Sequence, residues 1–174
     1  HPKHAIMNID VLSFNRLAFR VFDELGKTDF VVLEETGKNL VIRRCAMEHK
    51  KELTLLGGSM EKNGYISQVK SMISELAQYR IEPEQMDGIL EGLEGQPRLY
   101  YKWKDIGILY QAFQERMAKD YVTAEELLEV LAEHAEESSL LSGCTIALDS
   151  YTGFTPIQLA LLKKLLPLAK KILV

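Results

Sequence analysis

Five large apolar residues recur at alternating spacings of three and four positions, and no other feature constrains the fold as strongly. They are Trp103, Ile106, Tyr110, Phe113 and Met117. This period places all five on one face of a long α-helix. An aromatic face of this kind also suits the stacking of nucleic-acid bases. The regularity of the spacing favours the core of a helical domain instead.

Helical patterns occupy most of residues 27–142, where the short run Phe30 to Leu33 is the only strand candidate. Thr36 begins a predicted helix that ends near Lys51. Further helices are predicted from Tyr65 to about Arg80, from Pro83 to about Leu93, and from a capping box formed by Thr123 and Glu126 to about Ala135.

Strand patterns stand at the two ends of the chain. Ala5 to Leu12 alternates apolar and polar residues and leads into a predicted helix, Asn15 to Leu25, that Gly26 ends. Cys144 to Leu148 reads as a buried strand, Thr155-Pro156 begins a helix that stops at Pro167, and Lys171 to Val174 reads as a further strand. We expect the strands at 5–12 and 144–148 to lie side by side and parallel.

Composition excludes several classes of protein. The 174 residues are 47% hydrophobic and 26% charged, which is typical of a globular chain. The net charge of -4 gives no global attraction to nucleic acid, so any DNA contact must be local. Cys45 and Cys144 lack metal-ligand spacing, and a reducing cytoplasm fits them. The most apolar stretch, Leu159 to Val174, is interrupted by lysines, which argues against a membrane span or a membrane-surface helix.

Asp149 is the most informative single residue, because it follows a hydrophobic strand. An acidic residue at the carboxyl end of such a strand is where α/β nucleotide enzymes hold Mg²⁺. The alternative is that Asp149 only begins a turn or caps a helix.

The stretch from Ile146 to Gln158 resembles motif II of superfamily 1 helicases, in which a Gln follows the strand-end Asp by nine residues, as Gln158 follows Asp149. Asp149 with Phe154-Thr155-Pro156 is similar to the B subunit of AddAB-type helicase-nucleases. The segment Ser13-Phe14-Asn15-Arg16-Leu17-Ala18 resembles that family's counterpart of helicase motif Ia.

This resemblance covers nearly the whole chain and implies its fold class: mainly α with a partial α/β core, a fragment of a superfamily 1 helicase-like parallel sheet that carries an inserted helical subdomain. Residues 1–26 would begin subdomain 1A, residues 27–142 would form the inserted subdomain 1B, and residues 143–174 would return to 1A. The chain begins His-Pro-Lys-His and reads as an excised piece of a longer protein.

Two departures from the helicase pattern bear on catalysis. Position 150 is Ser where an active helicase carries the Glu that orients the attacking water. No GxxxxGK[ST] phosphate loop occurs, and Gly57-Gly58-Ser59 lacks its Lys. We therefore expect no catalytic residue in this fragment. The resemblance implies ATP, Mg²⁺ and an iron-sulfur cluster only for the parent subunit, with Asp149 near the metal and neither cysteine as a ligand.

The resemblance also implies a function, which is DNA binding and scaffolding within a complex that processes DNA double-strand breaks for repair and recombination. Its partners would be single-stranded DNA, duplex ends and the A subunit. Ser13 and Arg16 are candidates for phosphate contacts and Phe14 for base stacking, although a ring at a strand-to-helix junction is more often buried.

Two further observations leave the DNA role open. Lys38, Arg43, Arg44, Lys50 and Lys51 form a basic group that suits duplex DNA, although a solvated helix face is the commoner explanation. The four histidines have no ligand spacing. With a net charge of -4, a helical protein-interaction module without a DNA role remains the alternative.

Overall fold

The computed structural model describes residues 9–27 and 31–173. Over these residues the chain is mainly helical, with short strands between the helices, as the sequence predicts. The helices are α1 (Phe14–Leu25), α2 (Glu35–Glu48), α3 (Asn63–Gln78), α4 (Met86–Glu91), α5 (Pro97–Asp120), α6 (Ala124–His134) and α7 (Pro156–Leu165). The strands are β1 (Val31–Val32), β2 (Tyr121–Val122), β3 (Thr145–Ala147) and β4 (Lys171–Leu173). None of the helices in these ranges is long and apolar enough to cross a membrane.

Helix α5 carries the apolar repeat and confirms its interpretation as core. Ile106, Tyr110, Phe113 and Met117 are all buried, and Trp103 packs against them at the edge of the same core. The predicted capping box of α6 also forms. Thr123 accepts a hydrogen bond from the Glu126 N–H at 3.1 Å, and the Glu126 carboxylate accepts one from the Thr123 N–H at 2.6 Å.

The strands form two parallel pairs, β1 with β2 and β3 with β4. The predicted strand at Lys171 is therefore confirmed. The strand predicted at Ala5 to Leu12 falls outside the described residues over 5–8 and is wrong over 9–12, which form no strand. Val11 is 91% exposed, so the apolar residues of this alternating segment do not all pack against a core. Within the described ranges, the hydrogen-bonded neighbour of β3 is β4.

Strand β3 itself differs from the prediction of a fully buried strand. Thr145 and Ala147 are exposed and only Ile146 is partly covered. The reason is that a two-stranded sheet packed on one side leaves alternate side chains in solvent.

The buried apolar residues form two separate clusters. The first core joins α2, α3, α4 and α5 with the loop between α2 and α3. The second core joins α1, α6 and α7 with residues around β3. Helices from both ends of the chain thus share one core, and α6, which lies within residues 27–142, packs with them.

Lys38 connects the two cores. Its side chain is only 3% exposed, and its ammonium lies 2.9 Å from the Glu125 carboxylate of α6 and 3.3 Å from that of Glu35. A buried ammonium requires such partners, because an unpaired charge away from water is very unfavourable.

Candidate nucleic-acid interface

Ser13 and Arg16 lie at the start of α1. Ser13 is the N-cap, and its Oγ accepts a hydrogen bond from the Arg16 N–H at 3.3 Å. The Ser13 hydroxyl therefore stabilises the helix start, which is the usual role of serine at this position. Arg16 is exposed, and its guanidinium makes no hydrogen bond or ion pair within the described ranges. It is available to an anionic ligand.

Asp149 lies just beyond the carboxyl end of β3. The chain leaves the sheet after Leu148, whose N–H donates to the Leu173 carbonyl at 2.8 Å. Asp149 is exposed, and its carboxylate has no hydrogen-bonding partner among the described residues. Ser150 follows with φ 64°, a left-handed conformation that is uncommon for a residue other than glycine. The chain bends at this residue.

Three aromatic rings bring the two predicted segments together. The Phe14 ring lies 5.6 Å from the Tyr151 ring between centroids, tilted by 57°, and the Tyr151 ring stacks on Phe154 at 5.0 Å and 23°. We call these three residues the aromatic row. Phe14 is half-buried against the second core, whereas Tyr151 is 38% exposed. The expectation that the Phe14 ring belongs to the core is thus partly met, and its stacking on a DNA base stays a prediction.

Gln158 has a structural role that its motif-like spacing does not reveal. Its Oε1 accepts a hydrogen bond from the Thr155 N–H at 3.0 Å, and its own N–H donates to Thr155 Oγ1 at 3.4 Å. With Pro156 at the first helical position, this capping box begins α7. The side-chain oxygen of Gln158 is engaged here and is not directed at Asp149.

The aromatic row has positive charge on the side of Arg16 and the two helix starts, and the negative charge of Asp149 on the side of its loop. Neither α1 nor α7 has an acidic residue in its first turn, so the partial positive charge of each helix start is not neutralised locally. Arg16 adds a full positive charge. Asp10, just before α1, is paired with Arg20 at 3.2 Å. Asp149, in the loop that carries Tyr151, has no such partner among the described residues.

The described residues do not fit a metal site. Asp149 is a single exposed carboxylate followed by Ser150, and no group of three or more His, Cys, Asp or Glu side chains within the described ranges could hold an ion. Cys45 is buried in the first core, where burial raises the pKa of its thiol, and Cys144 is a separate free cysteine next to β3. The described side chains therefore form no cluster that could hold Mg²⁺ or an iron-sulfur cluster.

The basic group of α2 and the loop after it is mostly neutralised by neighbours. Lys38 is buried, Arg44 pairs with Glu48 at 3.1 Å, and Lys50 pairs with Glu61 at 3.2 Å. Arg43 donates a hydrogen bond to Asn63. The group is therefore not a continuous basic face.

Two of the histidines belong to local networks. His49 Nδ1 lies 2.9 Å from Glu52, and His134 Nδ1 lies 2.6 Å from Glu137 and 2.7 Å from the Lys27 ammonium. His1 and His4 lie outside the described residues.

Tyr151 is the site residue that sequence reasoning missed. It lies inside the motif-like stretch but has no periodic partner and no charge to single it out. The one feature of the sequence that could have identified Tyr151 is its position between Ser150 and Thr152, because a turn usually contains polar residues and not an aromatic one. The contact with Phe14, from the other end of the chain, appears only in the folded structure.

The model of the family described as "ADDB, N-terminal" matches residues 1–174. Among curated proteins, the chain is 43% identical over 174 residues to the B subunit of an ATP-dependent helicase/deoxyribonuclease from Lachnoclostridium phytofermentans, covering 100% of the chain and 15% of that protein. Proteins of the same name from Clostridioides difficile and Clostridium tetani are each 33% identical, covering 98% of the chain and 15% of each relative. The chain thus spans about 15% of the length of these relatives. It belongs to the AddB family, of which it represents the N-terminal region.

Proposed function

We propose that this chain is a non-catalytic, DNA-binding and scaffolding part of the B subunit of an ATP-dependent helicase/deoxyribonuclease. The parent subunit would act in DNA double-strand-break repair and homologous recombination, in the cytoplasm, as part of a heterodimer with an A subunit. The names of the relatives support this context. ATP, Mg²⁺ and iron-sulfur chemistry would belong to other parts of the parent protein.

The aromatic row carries the proposal. An exposed Tyr151 ring, backed by Phe14 and Phe154, offers a face on which an unpaired base can stack. Arg16 and the starts of α1 and α7 offer positive charge for the adjoining phosphates. This combination of a ring and positive charge suits single-stranded DNA better than duplex, whose bases are already stacked.

We further propose that the chain is organised as the resemblance implies, with residues 1–26 and 143–174 in subdomain 1A and residues 27–142 in the inserted subdomain 1B. Support comes from the second core, which α1 and α7 share because each packs against α6. Helix α6 packs with them, so it would join the insert to the body of the subdomain.

Binding of a fluorescent oligothymidine to the protein, followed by anisotropy, tests the DNA role. Tyr151→Ala should weaken binding, because it removes the exposed ring while leaving Phe14 and Phe154 packed on the second core. Tyr79→Ala is the matched control, since Tyr79 is also an exposed aromatic residue but lies at the end of α3. Equal affinity of both variants and the wild type would refute the assignment and favour a protein-interaction module.

A further inference from the structure

A groove on the first core is distinct from the aromatic row. It encloses about 700 Å³ between the loop at residues 53–60, helix α3 and the first turns of α5. Apolar side chains that remain partly exposed converge on it, including Leu55, Tyr65, Met72 and Leu99. Apolar groups that converge on one concave surface mark a binding site more often than the same groups scattered singly.

The charge of this groove is opposite to that of the whole chain. Arg98 and Lys102 are its charged lining residues, and neither Asp nor Glu lines it. The two cations are one helical turn apart on α5, and neither makes an ion pair within the described residues. By contrast, the smaller cavity between the two cores contains one cation, Lys38, among several glutamates. On a chain with a net charge of -4, the groove is therefore a local site of attraction for carboxylates.

One wall of the groove is held in place by a buried carboxylate. Asp105 of α5 is fully buried, and its two oxygens accept hydrogen bonds from the N–H groups of Thr54, Leu55 and Leu56 at 2.7 to 2.8 Å. Leu55 and Leu56 both line the groove. Their position relative to α5 is therefore fixed before any ligand arrives, which lowers the entropic cost of binding.

We propose that this groove docks an acidic amphipathic helix of a partner protein. Its apolar residues would enter between α3 and the 53–60 loop, and two of its carboxylates, one helical turn apart, would pair with Arg98 and Lys102. An apolar groove bordered by helices is the common receptor for such a segment. Most of the apolar lining is aliphatic, with Leu55, Val69 and Met72, and Tyr65 is the single aromatic residue among the described residues that line it. This composition favours a peptide over a nucleic acid, which would need more stacking faces and more phosphate contacts.

A peptide-display selection with the 174-residue protein as the target tests this proposal. The library contains random peptides of about 14 residues, which is about four helical turns. We expect the enriched sequences to contain apolar residues at helical spacing and Asp or Glu one turn apart. The best peptide is then synthesised with a fluorophore and titrated by anisotropy. No enrichment, or enrichment of peptides without acidic residues, would overturn the proposal.

The variant Arg98→Glu/Lys102→Glu should bind this peptide roughly tenfold more weakly or worse, because two attractive pairs become repulsive. Lys163→Glu/Lys164→Glu on α7 is the control of equal charge change and should bind as the wild type does. Leu99→Ser tests the apolar contribution independently and should also weaken binding. Circular dichroism checks that each variant is folded.

Unchanged affinity in both Arg98→Glu/Lys102→Glu and Leu99→Ser would refute the groove as the docking site. Two results together would assign the groove to nucleic acid instead. Oligothymidine would displace the peptide, and Arg98→Glu/Lys102→Glu would lose its affinity for oligothymidine. Because the groove belongs to the first core and the aromatic row to the second, neither result depends on the DNA-binding role of Tyr151.

Discussion

The Oδ2 atom of Asp105 accepts a hydrogen bond from the backbone N–H of Leu56 at 2.7 Å, in the buried interior of the first core. The same carboxylate also binds the N–H groups of Thr54 and Leu55. These three N–H groups belong to a loop without regular secondary structure, and the Asp105 carboxyl group provides their hydrogen-bond acceptors. Asp105 thus organises the loop after α2 as well as the groove beside it.

Asp105→Ala should lower the free energy of unfolding by roughly 3 kcal/mol or more, because three backbone N–H groups lose their side-chain acceptor next to the buried core. Urea unfolding measures this change. Asp23→Ala is the control, an exposed aspartate near the end of α1 whose loss should change stability by no more than about 0.5 kcal/mol. Equal stability of the two variants would show that the loop does not depend on Asp105.

Lys38→Met should destabilise the protein by about 3 kcal/mol, because the largely buried Glu125 loses its partner. Adding Glu125→Leu should recover much of this loss, since an apolar pair leaves no unpaired charge. Thermal and urea unfolding of both single variants and the double variant form a complete cycle. Additive effects would contradict a direct Lys38–Glu125 interaction between the cores.

Glu24 should make stability depend on pH below neutrality. Hydrogen bonds from the side chains of Ser138 and Ser139 lower the pKa of its carboxyl from the ordinary value of 4.5. The ionised form is therefore the one that the folded state favours. Its contribution is present above pH 4.5 and is lost as the pH falls through the lowered pKa.

Glu24→Gln checks this sign, because its amide resembles the protonated acid. The variant should be less stable than the wild type at neutral pH, and the difference between their urea midpoints should shrink as the solution is made acidic enough to protonate Glu24. A difference that stays constant with pH would assign the effect to side-chain shape and not to charge.

Ser150→Glu should not create an ATPase, although it would give Asp149 the acidic neighbour that the resemblance to motif II calls for. No phosphate loop is present, so nucleotide and water would not be positioned for a general base. Ser150 already adopts a left-handed φ, so Glu at this position should carry a similar backbone strain, whereas Ser150→Gly should relieve about 1 kcal/mol of it. Calorimetry with Mg-ATP and an assay of phosphate release are the measurements, with and without single-stranded DNA. Stoichiometric ATP binding by either protein would contradict the proposal that this chain is a non-catalytic part of the B subunit.

Local signals account for the parts of the fold that the sequence predicts. The repeat from Trp103 to Met117 has a period, and Thr123 and Thr155 each have a capping partner three residues later. Strand β1 lies within the run Phe30 to Leu33 that the sequence offers as a strand, whereas β2 is too short to show a period. The role of Asp105 depends on a loop about 50 residues away. The sequence also does not show that α6 packs with α1 and α7, because an amphipathic pattern identifies a buried face but not its partner.

The salt dependence of oligothymidine binding, measured for the wild type and for two variants, is the sharpest test of DNA binding at the aromatic row. Arg16→Gln should reduce the slope of log affinity against log salt by about 0.7, the value for one phosphate contact on a single strand. Tyr151→Ala should leave that slope unchanged while weakening binding by about 1 to 3 kcal/mol, the contribution of one stacked base. An unchanged slope for Arg16→Gln together with unchanged affinity for Tyr151→Ala would contradict a DNA-binding surface at the aromatic row.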